Sequence, residues 1–165
     1  MVSQAEASLI LDQLEATPLY GRPMRHLAMR LLSQIEGYHW CGVYRLEGDE
    51  LVLDEFVGTE TDHQRIPVGR GVCGTAVSQD KNQIVDDVRK LENYLSCSAQ
   101  TRSEIVVLIK REGEILGQID IDGHDVGAFD RSDEQLLEAV GANLAMCWED
   151  DAAACEMAKK ISGAG

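Results

Sequence analysis

Apolar residues recur at helical spacing through residues 3–16, with Leu9, Ile10 and Leu14 on the repeating positions. Ser3 stands where an N-cap belongs, and Glu6 three residues on completes a capping box. Pro18, Gly21 and Pro23 mark a break, after which a second helix is predicted over 24–36, stopping at Gly37. The pattern then changes from helical spacing to alternation. Residues 39–46 and 50–57 read as strands joined by the turn Glu47-Gly48-Asp49. Residues 58–70 read as a loop, 71–79 as a short helix and 83–85 as a short strand. Residues 86–103 are polar and aperiodic, and a loop of that length is uncommon in a compact domain and often functional. Residues 104–111 and 114–121 form the clearest hairpin, through Gly113. The unbroken run Ile105-Val106-Val107-Leu108-Ile109 predicts a central strand buried on both faces. Ser132, with Glu134 and Glu138, opens a last helix predicted over about 131–160, with Leu136, Leu137, Val140 and Leu144 as its apolar stripe.

Consecutive strands joined by tight turns imply an antiparallel sheet. Helices before and after it can pack together on one face, while long loops cover the other. The expectation is a single α+β domain over residues 1–165, with helices within about 3–36, sheet and pocket loops within about 39–122, and a pocket under the loops. Met146, Cys147 and Trp148 extend the last apolar stripe beyond what one small sheet needs, which predicts a homodimer.

The composition, 44% hydrophobic and 27% charged, is that of an ordinary globular protein. A formal charge of −14 argues against nonspecific nucleic-acid binding and against docking on an anionic membrane. No apolar run approaches the ~20 residues of a membrane span, and no basic stretch precedes an apolar one at the N-terminus, so a cytoplasmic location is expected. The five cysteines are odd in number and show no CxxC spacing, which speaks against a disulfide framework and against a zinc ribbon. Cys147 and Cys155, eight apart on one expected helix, should lie beyond disulfide range. Cys41 is expected in the core, and Arg22, Arg25 and Arg30 on a solvated helix face.

Several residues carry candidate chemistry, each with a plainer alternative. Cys97 lies in the polar loop, as a nucleophile or an inert thiol. Glu104 opens a buried strand, as a desolvated acid or a solvated strand end. Asp120 and Asp122, two apart on a strand, share a face, as do Trp40 and Tyr44. These four are either pocket lining or ordinary sheet residues. Cys73 lies between glycines where a helix may begin, as a second redox thiol or a small packing residue. His124 continues the Asp120–Asp122 alternation, but the run lacks the glycine of a calcium loop, and no metal is expected.

Four segments together resemble a known family. They are Trp40-Cys41-Gly42-Val43-Tyr44, and Arg65-Ile66-Pro67-Val68-Gly69-Arg70-Gly71-Val72-Cys73-Gly74-Thr75-Ala76. The third is Cys97-Ser98-Ala99-Gln100-Thr101-Arg102-Ser103-Glu104-Ile105-Val106-Val107. The fourth is Leu116-Gly117-Gln118-Ile119-Asp120-Ile121-Asp122, with Phe129-Asp130 after it. In order and spacing they resemble the GAF-domain free methionine-(R)-sulfoxide reductases, over roughly residues 20–145. The resemblance implies a GAF-type α+β fold and thiol-dependent reduction of free methionine-(R)-sulfoxide. It casts Cys97 as the nucleophile, Glu104 as a catalytic carboxyl and Cys73 as a redox partner. Asp120 and Asp122 match the family's Asp-x-Asp; for such a substrate they would suit the ammonium group, and Trp40 and Tyr44 would form an aromatic wall for the methyl-sulfoxide end. It also implies no bound cofactor, an external reductant (thioredoxin or a small thiol), and a role against oxidative stress.

Two positions depart from the family pattern. His63 stands where the family commonly has the cysteine that resolves the oxidised nucleophile, and Leu108 replaces a frequent proline. The alternative function is a GAF module that senses a small amino-acid-like ligand or redox state without turnover. A cyclic-nucleotide sensor ranks last, because two aspartates would repel a phosphate.

Overall fold

The N-terminal capping box forms as the spacing predicts. In the computed structural model, which describes residues 1–95 and 98–163, Ser3 caps α1 (Gln4–Ala16) and its backbone N–H donates to the Glu6 carboxylate. The second helix, α2 (Gly21–Leu32), begins and ends earlier than the sequence suggests. Pro23 falls in its first turn, where a missing N–H costs nothing, so it lies within the helix instead of preceding it. Leu32 ends it before Gly37 is reached.

Six strands form one sheet. They are β1 (Trp40–Glu47), β2 (Glu50–Val57), β3 (Arg65–Pro67), β4 (Gln83–Val85), β5 (Ser103–Arg111) and β6 (Glu114–Gly123). The order is β3-β2-β1-β6-β5-β4, with every pairing antiparallel. β3 lies inside the expected loop at 58–70, and its three residues are too few to leave an alternation pattern. Side-chain alternation divides β5 between two cores. Ile105, Val107 and Ile109 join Cys41, Val43, Ile119 and Ile121 under α1, α2 and α4 (Arg131–Met146). Val106 and Leu108 join Trp40, Tyr44, Leu51 and Ile66 under α3 (Gly71–Gln79). Each fully buried aliphatic side chain contributes about 1.5–3 kcal/mol.

The C-terminal region differs from the single helix expected over 131–160. α4 ends at Met146, Cys147 caps it in a non-helical conformation, and the chain restarts as α5 (Ala152–Gly163). The break folds Cys155 back onto Cys147, and the two form a disulfide with a Cα–Cα distance of 4.5 Å. The expectation that these cysteines could not meet assumed one unbroken helix. The apolar surplus at the end of α4 is also used within the chain: Cys147 is buried, and Met146 and Trp148 pack half-buried on the helical core.

Arg25 corrects the expectation of a basic solvated face. Arg22 and Arg30 are exposed, whereas Arg25 is 3% exposed. It pairs with Asp54 of β2, donates to the Trp148 carbonyl at 2.6 Å and lies over the Trp148 ring at 4.5 Å. These partners stand far away in sequence, so helical spacing alone gives no sign of them.

Candidate functional site

On the sheet face opposite α4, strand register gathers the acidic residues. β6 turns Asp120 and Asp122 to that face, and β5 places Glu104 directly opposite Asp122. β1 places Trp40 opposite Asp122 and Gly42 opposite Asp120. Glu104, Asp120 and Asp122 are 3%, 0% and 1% exposed. Thr101 donates to Asp122 Oδ2 at 3.5 Å.

Cys73 is brought down onto these carboxyls by α3. Its Sγ lies 3.3 Å from Asp120 Oδ2 and 3.8 Å from Glu104 Oε1. Gly74 makes this approach possible, since a Cβ there would stand 2.6 Å from the Pro67 carbonyl oxygen and 2.9 Å from the Gly69 nitrogen. The Gly69 N–H donates to the Gly74 carbonyl at 2.9 Å, tying the start of α3 to the strand before it. Gly42 serves the wall in a similar way. A Cβ at that position would fall 2.2 Å from the Trp40 ring, so its absence lets the indole lie along the sheet. Trp40 stacks on Phe56 and donates to the Thr59 carbonyl at 3.0 Å. Tyr44 donates its hydroxyl to the His63 carbonyl at 3.0 Å. Both aromatics are therefore tied to the 58–64 loop, and His63 enters the site's framework through its backbone.

Burial, reinforced by the negative charges of Asp120 and Asp122, holds the Glu104 carboxyl well above its ordinary pKa. Burial also raises Asp120, but hydrogen bonds from Glu104 and from the Cys73 thiol oppose that rise. Both carboxyls are thus pushed up, and Glu104 lies well above the ordinary carboxylate range. A buried carboxyl that stays protonated is suited to donate to an oxygen that becomes basic during a reaction. Cys73, Glu104 and Asp120 also carry potential ligand atoms within 4.8 Å of one another. A cation there would have to displace the thiol and carboxyl protons that now link these groups.

The sequence candidates Cys73, Glu104, Asp120, Asp122, Trp40 and Tyr44 thus share one face of the sheet. Cys97 lies outside the described residues. On either side of it, Leu95 lines the cavity beside Cys73, Glu104 and Asp120, and Thr101 bonds Asp122. Ile66, Arg70, Gly71 and Val72 complete that lining, which encloses only about 10 Å³. A far larger groove of about 980 Å³ runs along α2, past Arg22, His26 and Arg30, but it holds none of the site carboxyls.

Sequence reasoning missed the pairing of His39 with His124, whose rings stack 3.8 Å apart at the sheet end beside Trp40 and Asp122. Partial burial, together with the neighbouring imidazole, lowers the His124 pKa. The signal was present, since His39 directly precedes Trp40 and His124 follows Asp122 by two positions. It could be read only once β1 was known to pair with β6.

The GAF domain family matches residues 25–148. The free methionine-R-sulfoxide reductase of Escherichia coli is 41% identical over 114 residues, spanning 69% of this chain and 68% of the relative. That of Saccharomyces cerevisiae is 43% identical over 141 residues, spanning 83% and 74%. The fold superposes on the Neisseria meningitidis free methionine-R-sulfoxide reductase, solved in complex with its substrate, with a TM-score of 0.79 at 28% identity over 98% of this chain and 96% of that one. The chain belongs to the GAF-domain family, among its free methionine-R-sulfoxide reductases.

Proposed function

We propose that this protein reduces free methionine-(R)-sulfoxide to methionine, with Cys97 as nucleophile and Glu104 as acid. The observation that carries the reading is the buried Glu104 beside Asp120, with the Cys73 thiol against both and burial pushing the Glu104 carboxyl upward. Glu104 protonates the sulfoxide oxygen, which makes the sulfur electrophilic. The Cys97 sulfur attacks it, and oxygen transfer leaves methionine and a Cys97 sulfenic acid. The sulfoxide gains two electrons and the cysteine loses two.

Cys73 then attacks the sulfenic acid, forming a Cys73–Cys97 disulfide and releasing water. An external dithiol, thioredoxin or a small thiol, returns both cysteines to the reduced state. In this scheme Cys73 resolves the intermediate, because His63 has no thiol to offer. Burial of the Cys73 thiol between two carboxyls protects it until the nucleophile is oxidised.

Asp120 and Asp122 receive the substrate ammonium, which explains selection of the free amino acid: in a peptide that nitrogen is a neutral amide. Trp40 and Tyr44 face the methyl-sulfoxide end. The same reading carries a homodimer and a cytoplasmic location.

The test is steady-state turnover of free methionine-(R)-sulfoxide, with dithiothreitol and separately with a thioredoxin system. Wild type should turn over with both, and Cys97→Ser with neither. Cys73→Ser should retain activity with dithiothreitol, which reduces a sulfenic acid directly, and lose it with thioredoxin. Binding of methionine analogues without turnover under any thiol would replace the enzyme with a sensor.

A further inference from the structure

Burial gathers a thiol and three carboxyls on one face of the sheet. Cys73 is 4% exposed, and Glu104, Asp120 and Asp122 are as deeply buried beside it. Of the described residues lining the small cavity there, Arg70 is the basic one, and it is exposed. Acidic groups packed together in an interior need something positive among them, a proton or a metal ion. Protons on the carboxyls and the thiol are one answer. A divalent cation is another, and the donor set selects its class. Cys73 Sγ, a Glu104 oxygen and an Asp120 oxygen lie within 4.8 Å of one another, supplied by α3, β5 and β6. A thiolate with two carboxylates suits the borderline-soft Zn²⁺, whose open sites combine three protein ligands with one water. Mg²⁺ and Ca²⁺ surround themselves with oxygen ligands and have no use for the sulfur.

The spacing agrees. Around a tetrahedral zinc, with Zn–S about 2.3 Å and Zn–O about 2.0–2.2 Å, sulfur and oxygen ligands stand about 3.5 Å apart. Cys73 Sγ lies 3.3 Å from Asp120 Oδ2 and 3.8 Å from Glu104 Oε1. Thiol–carboxyl hydrogen bonds account for the same distances, but they leave one atom unexplained. Cys73 and Glu104 both hydrogen-bond with Asp120, yet Asp120 Oδ1, on a residue 0% exposed, has no hydrogen-bond partner among the described residues. A metal ion on this carboxylate compensates the charge shared by both of its oxygens. The cavity that Cys73, Glu104 and Asp120 line, about 10 Å³, is close to the room for one water-sized group, the ligand that a three-residue zinc site takes from solvent.

We propose that reduced Cys73, Glu104 and Asp120 bind one Zn²⁺ per chain, and that the ion inhibits this site instead of serving as its cofactor. Binding releases the protons held by the thiol and carboxyls to solvent, and no electron is transferred. Glu104 held by zinc has no proton to donate, and Cys73 held by zinc cannot attack a sulfenic acid. Oxidation of Cys73 to a disulfide removes the sulfur ligand, so the oxidised protein releases the ion. The inhibition rests on the reading of these residues as the reductase site. The binding does not.

The test titrates reduced protein with Zn²⁺ against a chromophoric chelator, and with Co²⁺, whose absorption reports thiolate coordination. Wild type should take up one equivalent per chain and show the thiolate-to-cobalt band. Cys73→Ser should lose that band, and Cys41→Ser, altered in the helical core, should keep it. Glu104→Gln and Asp120→Asn should each weaken Zn²⁺ binding by more than the about 10–100-fold that loss of an outer-shell partner costs. No uptake by wild type, or an identical band in Cys73→Ser, would overturn the proposal. Unchanged affinity in both carboxamide variants, with loss of the band in Cys97→Ser, would also overturn it and make the site a cysteine pair. If Cys73→Ser does not fold, the affinities of the two carboxamide variants decide. Single-turnover formation of methionine, which needs no added thiol, tests the consequence: Zn²⁺ should abolish it and a chelator restore it. Full yield from zinc-loaded protein would overturn the inhibition. Absence of methionine from zinc-free wild type would refute the enzymatic reading alone, since the titration still decides the site.

Discussion

Glu104 lies beside two other carboxyls without access to solvent, and its proton has two consequences that can be measured separately. As a proton donor, its replacement in Glu104→Gln should lower kcat/KM about 10²–10⁴-fold, measured with free methionine-(R)-sulfoxide. As a buried acid, it should make stability fall with rising pH. Below the ordinary value of 4.5 it is protonated in both folded and unfolded chains. Above that value the unfolded chain releases the proton while the folded one retains it. Folding therefore weakens by up to about 1.4 kcal/mol per pH unit until the raised folded-state value is passed. Denaturant unfolding of Glu104→Gln should show a stability advantage over wild type that grows as pH rises above 4.5. An advantage that grows towards acid would contradict this assignment. Much of the site was legible at this scale, because alternation puts Asp120 and Asp122 on one face and the apolar run after Glu104 announces burial. The meeting of Cys73 with these carboxyls was not legible, because it depends on backbone approach at Gly74 between segments that no local pattern connects.

Among the elements, the capping box of α1, the strand β2, the helix α3 and the β5–β6 hairpin followed from local pattern alone. The exceptions arise where a distant partner decides. α4 stops where Cys147 leaves helical geometry, and the disulfide to Cys155 then closes a short loop that anchors α5. Replacing both cysteines by serine should cost about 2–3 kcal/mol in unfolding free energy under oxidising conditions, from the loop entropy of a separation of 8 residues. The same loss should follow dithiothreitol treatment of wild type, and equal stability of all three samples would show that the bridge does not constrain the chain. Arg25 and Asp54, whose side chains are 4% and 6% exposed, join α2 to β2. Asp54→Ala leaves the guanidinium without its carboxylate and should cost about 3–5 kcal/mol in chemical denaturation. A loss under 1 kcal/mol would mean that Trp148 and its carbonyl suffice to hold Arg25.

For the molecule as a whole, the division into two faces governs function. The helical face holds α1, α2 and α4 together, while the opposite face sets three buried carboxyls against the Cys73 thiol of α3. No helix among the described residues is long and apolar enough to cross a membrane. Exposed Leu9 of α1 and Met157 and Ile161 of α5 leave apolar surface on the terminal helices, consistent with pairing of two copies. Sedimentation at micromolar concentration should return a dimer, and a monomer there would remove this part of the account. On the proposed reading, this face carries one oxygen transfer from a sulfoxide to Cys97. A single turnover decides it, with fully reduced protein, one equivalent of free methionine-(R)-sulfoxide and no added reductant. Close to one methionine per chain should form, with Cys73 and Cys97 joined in a disulfide, and none from Cys97→Ser. Methionine from Cys97→Ser in the same yield, or none from wild type, would contradict it.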